Sequence, residues 1–234
     1  MNRFAPLTFA LALAAAVLPA QAGDENHLPR VYTYAVQLDA AGRVESVRPH
    51  AFEPDAVSRV LDTQIPGLLF EPASGAAAGT STFLRILATH DGPRADDFTI
   101  VSASTGPAPL QLDRPAFPER DMASGNEGAV VLQLSVAADG SVRDAKVHDT
   151  VGDVSRAMAN AATSAAQGWK FAPETVGGQP IASTMLLSVC YLAAVSDAAT
   201  CTWRGPDAQR FSSRAVIAID SATRLVSQIP GGTP

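Results

Sequence analysis

The stretch EGAVVLQLSVAADGSVRDAKVHD, residues 127–149, carries the clearest pattern in the chain and decides its fold. Its first half places apolar residues at every second position, at Val130, Leu132, Leu134 and Val136. The dipeptide Asp139-Gly140 follows, and a second apolar run starts at Val142. This alternation, with an Asp-Gly turn and a second run, predicts a β-hairpin. Because an isolated hairpin is only marginally stable in water, we expect other elements to cover it.

The residues after the hairpin predict those covering elements. Asp153 is a suitable helix N-cap, and the alanine-rich run that follows has apolar residues at helical spacing. Trp169 and Phe171 lie in a short extended exit, where we interpret them as core aromatics rather than ligand-binding groups. The segment IASTMLLSVCYLA, residues 181–193, is rich in strand formers. The order strand, strand, helix, strand predicts one helix packed on one face of a small antiparallel sheet.

This part of the chain resembles the C-terminal domain of the TonB energy-transducer family. The resemblance rests on an aromatic-Pro pair before the hairpin, Gly-x-Val at its start, Trp-x-Phe-x-Pro after the helix and Gly-x-Pro before the last strand, found here at 117–118, 128–130, 169–173 and 178–180. It covers residues 114–192. It implies a domain that grips a short peptide of outer-membrane receptors by adding it as a strand to the sheet edge.

The N-terminal half repeats the same pattern in weaker form. With Gly42 aligned on Gly140, VQLDAAGRVESVRPH (36–50) lies over LSVAADGSVRDAKVH (134–148). We therefore predict that residues 31–88 form a degenerate second copy.

The second copy departs from the pattern in two places. Pro66 requires a helix that is shorter or broken. Leu69 replaces the tryptophan, and Phe70 is the core aromatic that corresponds to Phe171.

The predicted fold class is α+β, with two tandem ββαβ units, each a small antiparallel sheet with one helix on one face, plus a C-terminal hairpin. The hairpin rests on the similarity of residues 217–230 to residues 36–49, with chance similarity as the alternative. The predicted division is a signal peptide (1–22), a degenerate TonB-like unit (23–90), a linker with a short strand (91–113), a TonB-like unit (114–193) and a C-terminal extension (194–234).

The first 22 residues are typical of a secretory signal. An apolar run from Phe4 to Leu18 precedes small residues that favour cleavage after Ala22. The alternative is an uncleaved membrane anchor, although a span needs about 20 apolar residues. Cleavage predicts a periplasmic protein without membrane insertion. A membrane-anchored energy transducer is the weaker interpretation, because the long Pro-rich spacer of that family is absent.

Cys190 and Cys201 are the two cysteines of the chain. A secretory signal and an even cysteine count favour one disulfide, worth about 2.5–3 kcal/mol for a loop of about ten residues. Two unrelated buried thiols are the alternative.

Charge and motifs exclude several classes of function. The net charge is −6 and only two lysines are present, which disfavours nucleic-acid binding. The sequence has no G-x-S-x-G, H-E-x-x-H, phosphate-loop or dinucleotide motif. His50 and His148 have no second metal ligand at useful spacing, so we interpret them as polar residues at strand ends. We therefore predict no catalytic residue, no metal, no cofactor and no enzymatic activity.

Two functional classes remain. The first is a module that binds a periplasmic or outer-membrane protein or peptide by strand addition at the last strand, through Ser183, Met185, Leu187, Val189 and Tyr191. The second is a structural or assembly protein whose sheet edges are used up in a homodimer or by the two copies pairing with each other. Within the first class, the tail after Cys201 is an alternative occupant of the edge.

Overall fold

The computed structural model describes residues 30–72, 79–90, 92, 94, 97–192 and 216–230. The predicted signal peptide lies outside these residues. In the part described, the chain is a mixed α+β fold in which every strand pairing is antiparallel, and the predicted fold class is confirmed at that level.

The first sheet is built from the N-terminal half. Its elements in chain order are β1 (Arg30–Leu38), β2 (Val44–His50), α1 (Ala56–Gln64), β3 (Phe70–Pro72), β4 (Thr80–His90) and β5 (Phe98–Gly106). β1 lies between β2 and β4, and β5 pairs with the other side of β4. Strand β3 is short and lies outside this sheet.

The C-terminal half supplies the four strands of the second sheet and several short strands outside it. Its elements are β6 (Ala108–Gln111), α2 (Glu119–Ser124), β7 (Gly128–Val136), β8 (Val142–Gly152), α3 (Arg156–Ala166), β9 (Lys170–Ala172), β10 (Thr175–Val176), β11 (Gln179–Pro180), β12 (Ser183–Tyr191), β13 (Val216–Ala218) and β14 (Thr223–Leu225). The sheet order is β13-β12-β7-β8. The β10–β11 pair instead joins the first sheet at Thr175–Ser81.

Both hairpin turns contain a glycine against which the later chain packs. Gly42 and Gly140 have φ values of +76° and +81°. The N–H of Phe70 donates to the Gly42 carbonyl over 2.8 Å, and that of Phe171 donates to the Gly140 carbonyl over 2.9 Å. A Cβ on either glycine would lie 1.9 Å from the carbonyl oxygen of the same phenylalanine. A side chain at either position is therefore excluded twice, by backbone conformation and by space.

The helix starts follow from local hydrogen bonding. Helix α3 is capped by Ser155, whose Oγ accepts from Ala157 N and Met158 N, and not by Asp153 as predicted. The N–H of Asp153 donates to the Glu127 carbonyl, which keeps Asp153 with the hairpin. Helix α1 ends at Gln64 and continues as a 3-10 turn over Ile65–Gly67 that contains Pro66. The prediction of a shorter helix is confirmed.

Each sheet has its own apolar core. Trp169 and Phe171 are buried in the second core with Met158 of α3, and Phe70 is buried in the first core. The position of Trp169 is taken in the first half by buried Leu68; Leu69, the residue predicted to replace the tryptophan, is 42% exposed. The prediction was therefore wrong by one residue, because Leu68 and not Leu69 lies two positions before the phenylalanine that contacts the turn glycine.

The segment predicted as a linker is largely integrated into the sheets. β5 pairs with β4 from Phe98–His90 to Gly106–Phe83. β6 pairs with β9.

The tail does not form the predicted hairpin. Within the described residues, β13 pairs with β12 and β14 pairs with β3, so the two short strands belong to different sheets. The buried Glu174 carboxylate accepts from Ser221 Oγ and Ala222 N and so holds the segment between the two strands away from a hairpin turn.

Asp55 gives the first half a pH-dependent contact. Its carboxylate caps α1 by accepting from Ser58 N over 2.8 Å, and it also accepts from Tyr32 OH and Arg30 Nη1. Burial acts to raise the pKa of Asp55, but these hydrogen bonds and the Arg30 charge outweigh it and hold the pKa below its ordinary value of 3.8.

We expect Asp55→Asn to make stability less dependent on acid pH. A carboxyl group with a lowered pKa contributes stability above its unfolded pKa and loses it as the pH falls through the folded pKa. Asparagine keeps the cap, so urea unfolding at pH 7 and pH 3 should show a smaller loss than in the wild type. Asp55→Ala, which also removes the cap, should cost about 1 kcal/mol more than Asp55→Asn at pH 7. Equal acid sensitivity in wild type and Asp55→Asn would contradict this assignment.

Candidate functional site

Strand β12 lies between two neighbours. On one side it pairs with β7 in an unbroken register from Ser183–Val136 to Tyr191–Gly128. On the other side it pairs with β13, at Met185–Ala218, Leu186–Ile217 and Leu187–Val216. The outer edge of β12 is therefore occupied over Met185–Leu187 by the tail of the same chain.

Alternate residues of β12 direct their main-chain groups to opposite neighbours. Thr184 faces the tail, because its carbonyl accepts from Ile219 N over 2.9 Å and its N–H donates to Asp220 Oδ1 over 2.6 Å. By alternation, Leu186 and Ser188 face the same way. The five residues named from the sequence direct their main-chain groups to β7, namely Ser183, Met185, Leu187, Val189 and Tyr191. A strand added at this edge bonds to the residues between them.

The side chains of those alternate residues fill the second core. Met185, Leu187, Val189 and Tyr191 pack there with α3. The Tyr191 hydroxyl donates to the Met158 carbonyl over 3.0 Å, and burial raises the pKa of Tyr191 to about 12. Phe117 packs edge-on against Tyr191 at a ring-centroid distance of 5.2 Å. The Trp169 indole donates to the Asp113 carbonyl over 2.8 Å. The resemblance motifs therefore hold β12 and the chain before the hairpin in place.

A buried carboxylate fixes the turn between β13 and β14. Glu174 is fully buried and lies after β9. Its Oε1 accepts from Thr82 Oγ1 over 2.6 Å and lies 2.8 Å from Ser221 Oγ, while its Oε2 accepts from Ala222 N over 3.0 Å. The group of Thr82, Arg85, Thr105, Glu174 and Ser221 is called the Glu174 cluster below.

Arg85 is the cationic member of the Glu174 cluster. Its guanidinium donates to the carbonyls of Thr105, Gly106 and Pro107. Burial lowers the pKa of Arg85 to about 10, and the negative charge of Glu174 opposes that effect. The cluster joins β4, β5, the segment after β9 and the tail, so it connects the two sheets.

No local sequence pattern predicts this cluster. Glu174 follows Pro173 in a turn-rich segment, where a solvated carboxylate is the usual expectation. Arg85 interrupts an apolar strand, and this interruption is the sequence signal that points to it. The histidines are not part of the site: the described residues contain no group of three or more potential metal ligands.

The predictions of a disulfide and of no membrane insertion lie partly outside the described residues. Cys201 lies outside them, so the Cys190–Cys201 bridge stays a prediction, although the part described contains no free cysteine. Among the described helices, none is both long and apolar enough to cross a membrane.

The second half of the chain is an α+β domain in which one helix covers one face of an antiparallel sheet. Residues 113–191 match the family model of the Gram-negative bacterial TonB protein C-terminal. Protein TonB of Pseudomonas aeruginosa is 31% identical over 97 residues, a match that covers 36% of this chain and 28% of that protein. The solution NMR structure of the Pseudomonas aeruginosa TonB CTD matches at 25% identity and a TM-score of 0.29, over 39% of this chain and 88% of that one.

These comparisons confirm the resemblance to the TonB C-terminal domain family over residues 113–191. The chain spans about a quarter of the length of the curated relative. The second copy over residues 31–88 stays a prediction.

Proposed function

We propose that this chain is a periplasmic TonB-like module that binds an extended segment of an outer-membrane protein by strand addition at the outer edge of β12. The observation that carries the proposal is the pairing of β13, because it places an extended segment on that edge through main-chain hydrogen bonds. Main-chain pairing supplies affinity in this mode of recognition, and flanking pockets supply selectivity. The family resemblance supports an outer-membrane receptor as the partner.

We further propose that residues 31–88 are a degenerate second copy of the same unit. Support comes from the shared order of strand, strand, helix, short strand and strand. It also comes from the matched contacts of Gly42 with Phe70 and of Gly140 with Phe171. The second copy has lost the binding role in this proposal, since β5 pairs with β4 where β13 pairs with β12.

An assembly role is the second candidate function. It is favoured by the way the chain uses its own edges: β13 extends the second sheet, and the β10–β11 pair extends the first. In that role the tail joins the two halves permanently, and no partner strand is accepted.

Titration of peptides into the full chain separates the two candidates. We expect a peptide from the N-terminal segment of an outer-membrane receptor to shift the amide signals of Thr184 and Leu186 in an NMR spectrum, because these groups face the edge. The same peptide with proline substituted at alternate positions is the control, since proline has no N–H to donate to the main chain of β12. Unchanged amide signals at high peptide concentration would favour the assembly role, and light scattering would then test for a homodimer.

A further inference from the structure

The tail strand β13 contacts the first sheet as well as β12. Ala218, opposite Met185, lies against Gly106 at the end of β5. A Cβ placed on Gly106 would be 2.4 Å from the Ala218 Cβ. A residue larger than alanine at the position of Ala218 would therefore have to push β13 and β5 apart.

A carboxylate follows two residues later. Asp220 Oδ1 accepts from the Thr184 N–H over 2.6 Å. A charged acceptor on a main-chain N–H makes a shorter and stronger hydrogen bond than a neutral one. The edge thus presents a donor at Thr184 that favours an acidic residue in any strand that occupies it.

The rest of the tail is held independently of β13. Glu174 binds Ser221 and Ala222, and β14 pairs with β3. Ile229 is buried in the first core. Displacement of residues 216–220 from the edge would therefore leave the contacts of residues 221–229 intact.

We infer that the β12 edge recognises an extended segment in which a small residue is followed two positions later by a carboxylate, and that residues 216–220 are its built-in occupant. A partner strand binds by displacing this segment. The inference rests on the proposed function, because it specifies which segment that site takes and what limits access to it.

A pair of double variants of the full chain tests the displacement. Ile219→Pro removes the N–H that donates to the Thr184 carbonyl. Asp220→Ala removes the carboxylate that accepts from the Thr184 N–H. Ile219→Ala with Asp220→Asn is the matched control, since it keeps both hydrogen-bonding groups. The Ile219 side chain is 55% exposed, so its loss disturbs little packing in either variant. The probe is a synthetic peptide of the chain's own residues 214–222.

We expect the opened variant to bind this peptide about 10- to 30-fold more tightly than the wild type and the control do. This range corresponds to two lost hydrogen bonds of about fivefold each. The Thr184 amide should also exchange with solvent faster in the opened variant, a readout that does not depend on peptide binding. A peptide carrying Ala218→Leu should bind the opened variant at least tenfold more weakly, and a peptide carrying Asp220→Ala should bind it about fivefold more weakly.

Two results would overturn the inference, and a third would overturn the proposed function alone. Equal affinity and equal Thr184 exchange in opened variant and control would show that the tail does not limit access. Undiminished binding of both altered peptides would overturn the selectivity. If the opened variant binds the 214–222 peptide but no receptor-derived peptide, the inference stands and the proposed receptor function fails. Should the opened variant unfold, Asp220→Ala alone with Asp220→Asn as control gives the same comparison at smaller amplitude.

Discussion

Glu174→Ala is expected to destabilise the protein by about 3–5 kcal/mol, because it removes one member of a buried pair of opposite charges. Arg85 is also buried and would keep its charge without the compensating carboxylate. Thr82, Ser221 and the N–H of Ala222 would each lose a hydrogen-bond acceptor at a buried or partly buried position. Urea unfolding followed by circular dichroism measures the loss. The slope of the transition should be compared as well, since two cores need not unfold as one unit.

Two further variants test the cause of that loss. Glu174→Gln keeps an acceptor for Thr82 and Ser221 but removes the charge, so we expect a loss of about 1–3 kcal/mol. Arg85→Met combined with Glu174→Leu removes both charges, and it should be more stable than the sum of the two single variants predicts. A cost below about 0.5 kcal/mol for Glu174→Ala would mean that the cluster is solvated and does not join the sheets.

Gly140→Ala is expected to cost about 2–5 kcal/mol. The residue has a φ of +81°, and its added Cβ would lie 1.9 Å from the Phe171 carbonyl oxygen. Left-handed backbone alone costs about 1–2 kcal/mol for an alanine. The collision adds about 1–3 kcal/mol, because relieving it displaces buried Phe171 and lengthens its hydrogen bond to the Gly140 carbonyl. Chemical denaturation is again the measurement.

Gly177→Ala is the matched control, since Gly177 has a φ of +58° and an added Cβ would meet nothing within 4 Å. It should lose about 1–2 kcal/mol, the cost of backbone conformation alone. Gly42→Ala should resemble Gly140→Ala, because its Cβ would lie 1.9 Å from the Phe70 carbonyl oxygen. If Gly140→Ala costs no more than Gly177→Ala, the contact with Phe171 yields without penalty. The proposed likeness of the two halves would then lose part of its support.

The hairpin, the helix and the last strand of the second half were predicted from the sequence because their signals are local. Alternation over residues 130–136 and the Asp139-Gly140 turn specify a hairpin wherever they occur. The burial of Trp169 and Phe171 also follows from residue type. The prediction of the α3 cap was wrong because the backbone of Asp153 is held by a residue distant in sequence. The N–H of Asp153 donates to the Glu127 carbonyl, a contact 26 residues away in sequence that no local pattern records.

Local sequence patterns predicted the two hairpins, the helix and the strand that follow each of them, the turn glycines, and the core aromatics Trp169, Phe171 and Phe70. The tertiary structure alone decided which strands the tail and the segment before β7 would join. A strand of three residues such as β13 is too short to show an alternation pattern in the sequence, and its sheet neighbour depends on which strand edge lies close to it in space. Only the tertiary structure buried Arg85 and Glu174, because a charge leaves water when segments distant in sequence supply its partners together.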